Sequence, residues 1–374
     1  MESDRTWSFT DLENDVIETG TCGKCGGCVS FCSATRIGAL TLDENGFPCY
    51  ADKDRSLECG LCYIVCPQTH PMKDELDERF SWRPPIGNYV DVFSARCPYA
   101  EVRERATDGG VVTSLLMHML DRGLIDGAAV SISTGPLLRR ASVATSREEL
   151  LQAAGSHFAE QPHLEEVGQR YATYVPVVRS VWEVAPKQLR KLAVVGTPCQ
   201  INAIRKMQVL GIVPSDIFEF TIGLFCMQCF EVGNLAEREF VKDRGIMVED
   251  IVKVNVKEDF MLTLASGDVV HIPLAEVAEI ARPACLACRL FANDYADISV
   301  GGLGSPDGYT TVMIRTIKGK EMFADALYRG AIEYLEARSA ADQKTKGRRM
   351  ISLVEEFAEK KRKRGEATLE KLLS

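Results

Sequence analysis

The sequence predicts an α+β chain: a small cysteine-rich N-terminal module, a larger α/β domain, and a charged helical tail. Three observations predict it. Eight of the fourteen cysteines fall between Cys22 and Cys66. Apolar runs with strand and helix periods alternate through the middle of the chain, and residues 340–374 carry dense Lys, Arg and Glu around one apolar stripe.

With 374 residues, 46% hydrophobic and 26% charged, the chain is long enough for two or three domains with their own cores. No apolar run of about 18 residues occurs. The opening "MESDRTWSFTDLENDV" is acidic and polar where a signal peptide is basic and then apolar, so the cytoplasm is the expected compartment. A net charge of -9 disfavours general nucleic-acid binding, which depends on many cationic phosphate contacts. Proteins and small molecules are the expected partners. Fourteen cysteines in a reducing compartment point to metal or redox chemistry rather than a disulfide framework.

Residues 1–70 form the first unit. Cys22, Cys25, Cys28 and Cys32 have the spacing C-x2-C-x2-C-x3-C, the bacterial ferredoxin arrangement in which three thiolates hold one cubane and the fourth reaches a second. "ECGLCYIVCP" then supplies Cys59, Cys62 and Cys66 before Pro67, the ending of a second such motif. One cluster takes Cys22, Cys25, Cys28 and Cys66; the other takes Cys32, Cys59, Cys62 and a further ligand. The matching position for that ligand is Ser56. Three outcomes are open: Ser56 ligates through oxygen, Cys49 swings in, or the site holds a [3Fe-4S] cluster. Cys49 is favoured, because a thiolate is the softer ligand for iron. A pair of zinc knuckles is the competing reading, but the evenly spaced run and the Cys-Pro ending suit interlocked cubanes better. Two clusters in one module make an electron wire.

Residues 71–88, charged and Pro-containing, read as a connector. Residues 89–339 follow with "VVTSLLMHMLDRGLI" as a helix and "GAAVSIS" as a strand. "KLAVVGTPCQINAIRKMQVLG" is a strand, turn and helix; "FEFTIGLFC" and "DISVGGLG" are strands. The segment from "IVKVNVKED" onward reads as a hairpin turning at Ser266-Gly267-Asp268. In the tail, Ile351, Leu353, Val354 and Phe357 mark one face of a solvated helix. Cys97 and Cys229 fall outside the early motifs and are read as buried small residues.

The blocks "ARCPYAEVRERATDGGVVTSLL" (95–116), "VVGTPCQINAIRK" (194–206), "GLFCMQC" (223–229), "ARPACLACRLF" (281–291) and "ADISVGGLGSPDGYTTV" (296–312) resemble, in order, the β-subunit family of coenzyme F420-reducing hydrogenases and F420H2 dehydrogenases. The resemblance implies an FAD-binding α/β domain with its own [4Fe-4S] cluster, for about three clusters in all. That domain exchanges a hydride with coenzyme F420 and passes single electrons onward. The third cluster falls to Cys199, Cys226, Cys285 and Cys288. The implied FAD contacts are Asp108, Gly109, Gly110 and Thr113 before a helix, where N–H groups and the dipole favour phosphate. Gly196, Thr197, Pro198 and Gln200 join them, as do Ser305, Pro306, Asp307 and Gly308. The competing reading of the last four is a tight Pro-containing turn.

Two positions depart from the family pattern and lose a lysine: Gly155, Ser156, His157 and Phe158 in one, Lys257, Glu258, Asp259 and Phe260 in the other. Ser156 and His157 are nonetheless carried over as FAD contacts, with His157 standing in for one cation or lying on the surface. A polyanionic deazaflavin tail prefers cations, so two further functions stay open: a ferredoxin-dependent reductase of an organic, pigment-like substrate, and a non-catalytic electron-relay adaptor. The partners implied are redox subunits of hydrogenase, heterodisulfide-reductase or dehydrogenase type, or ferredoxin, compatible with a peripheral place on a membrane complex. No acid–base side chain is required, because the cofactor carries the chemistry.

Overall fold

The structure, a computed structural model, describes residues 6–135, 138–155, 189–230, 235–256, 259–337 and 339–372. Its N-terminal module rests on two short helices, Gly27–Ala34 and Leu61–Ile64, entered through left-handed Gly26 (φ 79°) and Gly60 (φ 71°). Gly60 has no substitute, because a Cβ there would stand 2.6 Å from the carbonyl oxygen of Trp7. Strands β1 (Leu40–Leu42) and β2 (Pro48–Tyr50) pair antiparallel beside them. The module's core is partly made of its own cysteines: Cys22, Cys32 and Cys62 pack with Phe9, Leu12 and Tyr63.

The larger domain contains β3 (Asp91–Arg96), β4 (Gly127–Gly135), β5 (Leu138–Ala144), β6 (Leu192–Gly196) and β7 (Phe218–Leu224). It continues through β8 (Ile251–Val256), β9 (Asp259–Leu264), β10 (Val269–Pro273), β11 (Ile298–Gly301), β12 (Thr310–Ile314) and β13 (Glu333–Tyr334). Eight of these form one sheet in the order β13-β3-β12-β11-β7-β6-β4-β5. Neighbours among β4, β6, β7 and β11 are parallel, and the flanking pairs are antiparallel. Leu192, Ala193 and Val194 are all 0% exposed, as a strand covered on both faces requires. Strand alternation divides the core: Ala128, Ala193 and Ile222 join the cluster under the Val111–Asp121 helix, whereas Ala129, Leu192 and Val194 pack with Ile201 and Ile204 of the Pro198–Leu210 helix. The expected hairpin exists as β9–β10 and gains β8 as a third antiparallel strand.

Two expectations change. The 71–88 stretch is packed rather than free: it contains the helix Lys73–Arg79, buries Leu76 and Ile86, and ties Trp82 Nε1 to Asp294 at 2.7 Å. Its polar composition hid apolar residues spaced too far apart to show a period. The tail is a single helix, Ala340–Leu372, and its buried stripe runs through Met350, Val354, Ala358 and Lys361. The expected stripe is packed, with Val354 buried and Ile351 and Phe357 against the same cluster, and it extends to the buried Lys361, which makes the helix a wall of the domain.

Candidate functional site

The carboxyl ends of β6, β7 and β11 open onto a cavity of about 1320 Å³. That is the end of a parallel sheet at which α/β folds bind ligands. Gly196, Thr197, Pro198 and Gln200 line it after β6, Asp108, Gly110 and Thr113 at the start of the Val111–Asp121 helix, and Ser305, Pro306 and Asp307 after β11. The turn at Thr197 is fixed by a capping box, in which its N–H donates to Gln200 Oε1 at 2.8 Å. Gly302 brings a glycine loop against Asp108: a Cβ there would stand 2.7 Å from Asp108 Oδ2.

Gly109 and Gly308 do not line the cavity. Gly109 is a packing residue whose N–H donates to Thr310 Oγ1 at 3.0 Å, and a Cβ on it would stand 2.6 Å from the carbonyl oxygen of Ala95. Gly308 (φ 77°) turns the chain, with the Tyr309 N–H donating to the Pro306 carbonyl at 3.1 Å. In "SPDG", three residues line the cavity and the fourth makes the turn. Ser156 and His157 lie outside the described residues.

On the same cavity stand Cys199, Cys226, Cys229, Cys285 and Cys288. Burial pushes the Cys199 thiol up to about 12, with the facing charge of Cys288 next and those of Cys226 and Cys285 after it; a hydrogen bond from Thr197, 3.1 Å away, opposes them. Cys229 does not behave as the isolated small residue expected from sequence. The chain reversal after β7 pairs Phe230 with Ala281 and places the Cys229 N–H 3.4 Å from Cys285 Sγ. A hydrogen bond from the Cys229 thiol, aided by Arg282 and Lys361 against burial, draws Cys285 down to about 5. Cys97 is fully buried in the main core.

In the module, Cys22, Cys25, Cys28 and Cys66 form one mutually interacting group. Burial raises Cys25, and the charges of Cys199, Cys66 and Cys22 add to it. Cys28 likewise responds to burial first and then to Cys25, Cys22 and Cys66. The Cys25 interaction with Cys199 links the module to the large domain, and Gly23 lies beside it: a Cβ there would stand at van der Waals distance, 3.9 Å, from Cys199 Sγ. The second group is Cys32, Cys59 and Cys62, which line a small cavity together with Ser56. Cys49, the favoured fourth ligand, does not line it; it sits on β2, with Asp43 and Glu13 as its charged neighbours. The pairing of β2 with β1 holds Cys49 opposite Thr41, which fixes it in the ribbon.

The cavity's last wall went unseen in the sequence. Lys361 and Arg364 of the Ala340–Leu372 helix line it, and Lys361 is 1% exposed. Burial lowers the Lys361 pKa, but the charges of Cys288, Cys226, Cys285 and Cys199 outweigh it and leave a net rise. The available signal was a lysine in register with Met350, Val354 and Ala358 on the apolar stripe.

Two family models match, "Coenzyme F420 hydrogenase/dehydrogenase, beta subunit N-term" over residues 92–179 and its "C terminus" counterpart over residues 189–340. The chain belongs to the coenzyme F420 hydrogenase/dehydrogenase β-subunit family. Membership makes it an oxidoreductase. Among its relatives, a coenzyme F420-dependent sulfite reductase from Methanocaldococcus jannaschii is 32% identical over 83% of this chain. The match covers 46% of that relative, so the chain spans about half its length. One component of the F420H2 dehydrogenase of Methanosarcina mazei is 27% identical over 83% of each chain. A chain in a solved structure of the F420-reducing [NiFe] hydrogenase complex from Methanosarcina barkeri superposes with a TM-score of 0.66 at 30% identity, covering 78% of this chain and 94% of that one. Among the described residues, no helix is long and apolar enough to cross a membrane.

Proposed function

We propose that this chain is an FAD-dependent iron–sulfur subunit that exchanges a hydride with coenzyme F420 and passes single electrons through [4Fe-4S] clusters to a partner redox subunit or ferredoxin. The observation that carries the reading is the shared cavity, lined both by the Thr197, Asp108 and Ser305 loops and by the Cys199 thiol group. Gly23 of the module lines the same cavity, and Cys25 interacts by charge with Cys199.

The residues present fit the groups. The cavity exceeds the roughly 300–1,000 Å³ of ordinary ligand sites, giving room for a flavin and a carrier ring together. Glycines at 110, 196 and 302 line it, and a Cβ on each would stand 3.1, 3.2 and 2.7 Å from Val102, Gln200 and Asp108, so the wall there is close-packed backbone. Two of the thiol sets line cavities: Cys199, Cys226, Cys285 and Cys288 the large one, and Cys32, Cys59 and Cys62 the small one. Arg364 Nε, buried and without a hydrogen-bond partner among the described residues, is a donor suited to cluster sulfur.

The bound cofactors would supply the two-electron to one-electron conversion. The chain's part is placement. Asp108, Gly110 and Thr197 would hold the flavin; Cys199, Cys226, Cys285 and Cys288 the nearby cluster; Cys22, Cys25, Cys28 and Cys66 the next; and Cys32, Cys59 and Cys62, with Ser56 beside them, the outermost. Lys346 and Arg349 line the same cavity and supply cationic surface for a polyanionic tail, which answers the two lysines missing from the family pattern. The test is anaerobic addition of F420H2 to purified protein containing flavin and iron. Bleaching of the flavin band is expected; an unchanged spectrum with both cofactors intact would sink the deazaflavin assignment.

A further inference from the structure

The Ala340–Leu372 helix begins where the family-model match ends at residue 340, yet it closes one side of the Cys199 thiol group. Gly365 permits the approach: a Cβ there would stand 2.9 Å from the Cys288 carbonyl oxygen and 2.8 Å from Arg289 Cγ. One turn earlier, Lys361 donates from Nζ to the Cys226 carbonyl at 2.6 Å. Arg364 donates to the carbonyls of Met227 at 3.0 Å and Cys285 at 3.1 Å, and to Gln228 Oε1 at 2.8 Å. Among the described residues, neither cation has a carboxylate partner.

A buried ammonium needs opposite charge nearby to be held in the fold. The charges that Lys361 feels belong to Cys199, Cys226, Cys285 and Cys288. A cubane with four thiolates is a net anion and becomes more negative when it takes up an electron. A fixed cation in a low-dielectric site therefore stabilises the reduced form more than the oxidised one.

We infer that Lys361, with Arg364 beside it, sets the reduction potential of the cluster held by Cys199, Cys226, Cys285 and Cys288, keeping it above the value those thiolates alone would give. This rests on the proposed third cluster. Lys361 acts through that cluster and touches no substrate. One electron enters the cluster and one leaves, so the effect is on the poise of that step and not on its chemistry.

The experiment is a redox titration of the full chain, followed by EPR, for the wild type, Lys361→Met, Lys361→Arg and Arg364→Met. The expected result is that both Met variants keep the wild-type iron content, the third cluster titrates at a lower potential in each, Lys361→Arg returns it close to wild type, and the two module clusters do not move. An unchanged potential in an intact Met variant overturns the inference, as does loss of the third cluster in both Met variants, which would make the side chains structural. A Cys285→Ser control separates the two readings. If it removes no signal from the spectrum, the third cluster itself is refuted.

Discussion

Gly27 of the cysteine-rich module and Ala203 of the Pro198–Leu210 helix meet without slack: a Cβ on Gly27 would stand 3.0 Å from that of Ala203. Beside this contact the buried Lys206 donates to the carbonyl of Thr69 at 3.0 Å and also to that of Cys66, fastening the module to the same helix. Gly27→Leu forces the two surfaces apart at an overpacking cost of about 1–3 kcal/mol. The expected outcome is a lower Tm and slower reduction of the module clusters by reduced flavin in stopped-flow absorbance, with flavin reduction itself unchanged.

Ser56, and not Cys49, faces the cavity shared by Cys32, Cys59 and Cys62. Cys49→Ala is therefore expected to leave iron content and EPR spectra as they are. Ser56→Cys supplies a fourth thiolate and is expected to raise any [3Fe-4S] population to [4Fe-4S]. Iron lost on Cys49→Ala would contradict the placement.

Asp297 is buried at the centre of the domain, where it accepts from Arg205 at 3.0 Å and from both the backbone N–H and the hydroxyl of Thr221 at 2.9 Å. Asp297→Ala leaves a buried guanidinium without its carboxylate, which costs about 3–5 kcal/mol. Urea unfolding followed by circular dichroism is expected to show the midpoint falling accordingly.

Because a Cβ on Gly302 meets the Asp108 carboxylate, Gly302→Ala displaces one side of the cavity wall. Flavin retained after gel filtration is expected to fall, with affinity weakened roughly tenfold, equivalent to about 1.4 kcal/mol. Cluster signals are expected to persist, since the atoms nearest that Cβ are those of Asp108.

Removing iron is expected to affect the two parts of the chain unequally. Cysteines make up part of the module's core, whereas the main sheet is closed by Leu, Ile, Val and Phe. After chelation, limited trypsin digestion followed by mass spectrometry should cut within residues 6–70 first and leave the eight-stranded sheet protected. Equal digestion of both parts would show that the sheet also depends on the clusters.

The strands at 127–133, 192–196 and 218–224 and the helix after Gly110 were legible because their apolar runs and glycine punctuation act locally. So were the spacings of Cys22 to Cys32 and Cys59 to Cys66, since metal-ligand spacing is a property of short loops. What stayed hidden depends on contacts distant in sequence. Leu76 and Ile86 looked like linker residues until Asp294 and Tyr295 were placed beside that stretch. Cys229 looked surplus until the reversal after β7 brought it to Cys285. Lys361 looked like part of a solvated charge run because its partners lie more than 70 residues earlier in the chain.

That separation sets an order of assembly. All five cysteines at the Cys199 cavity leave the ribosome before the helix that covers four of them, so iron can be loaded into an open bowl and the helix laid over it afterwards. The helix carries the buried Lys361 and the half-buried Arg364, and it gains fuller counter-charge once the anionic centre is in place. Helix closure is then expected to be firmest around a filled site, which makes the last wall of the domain a response to cluster loading.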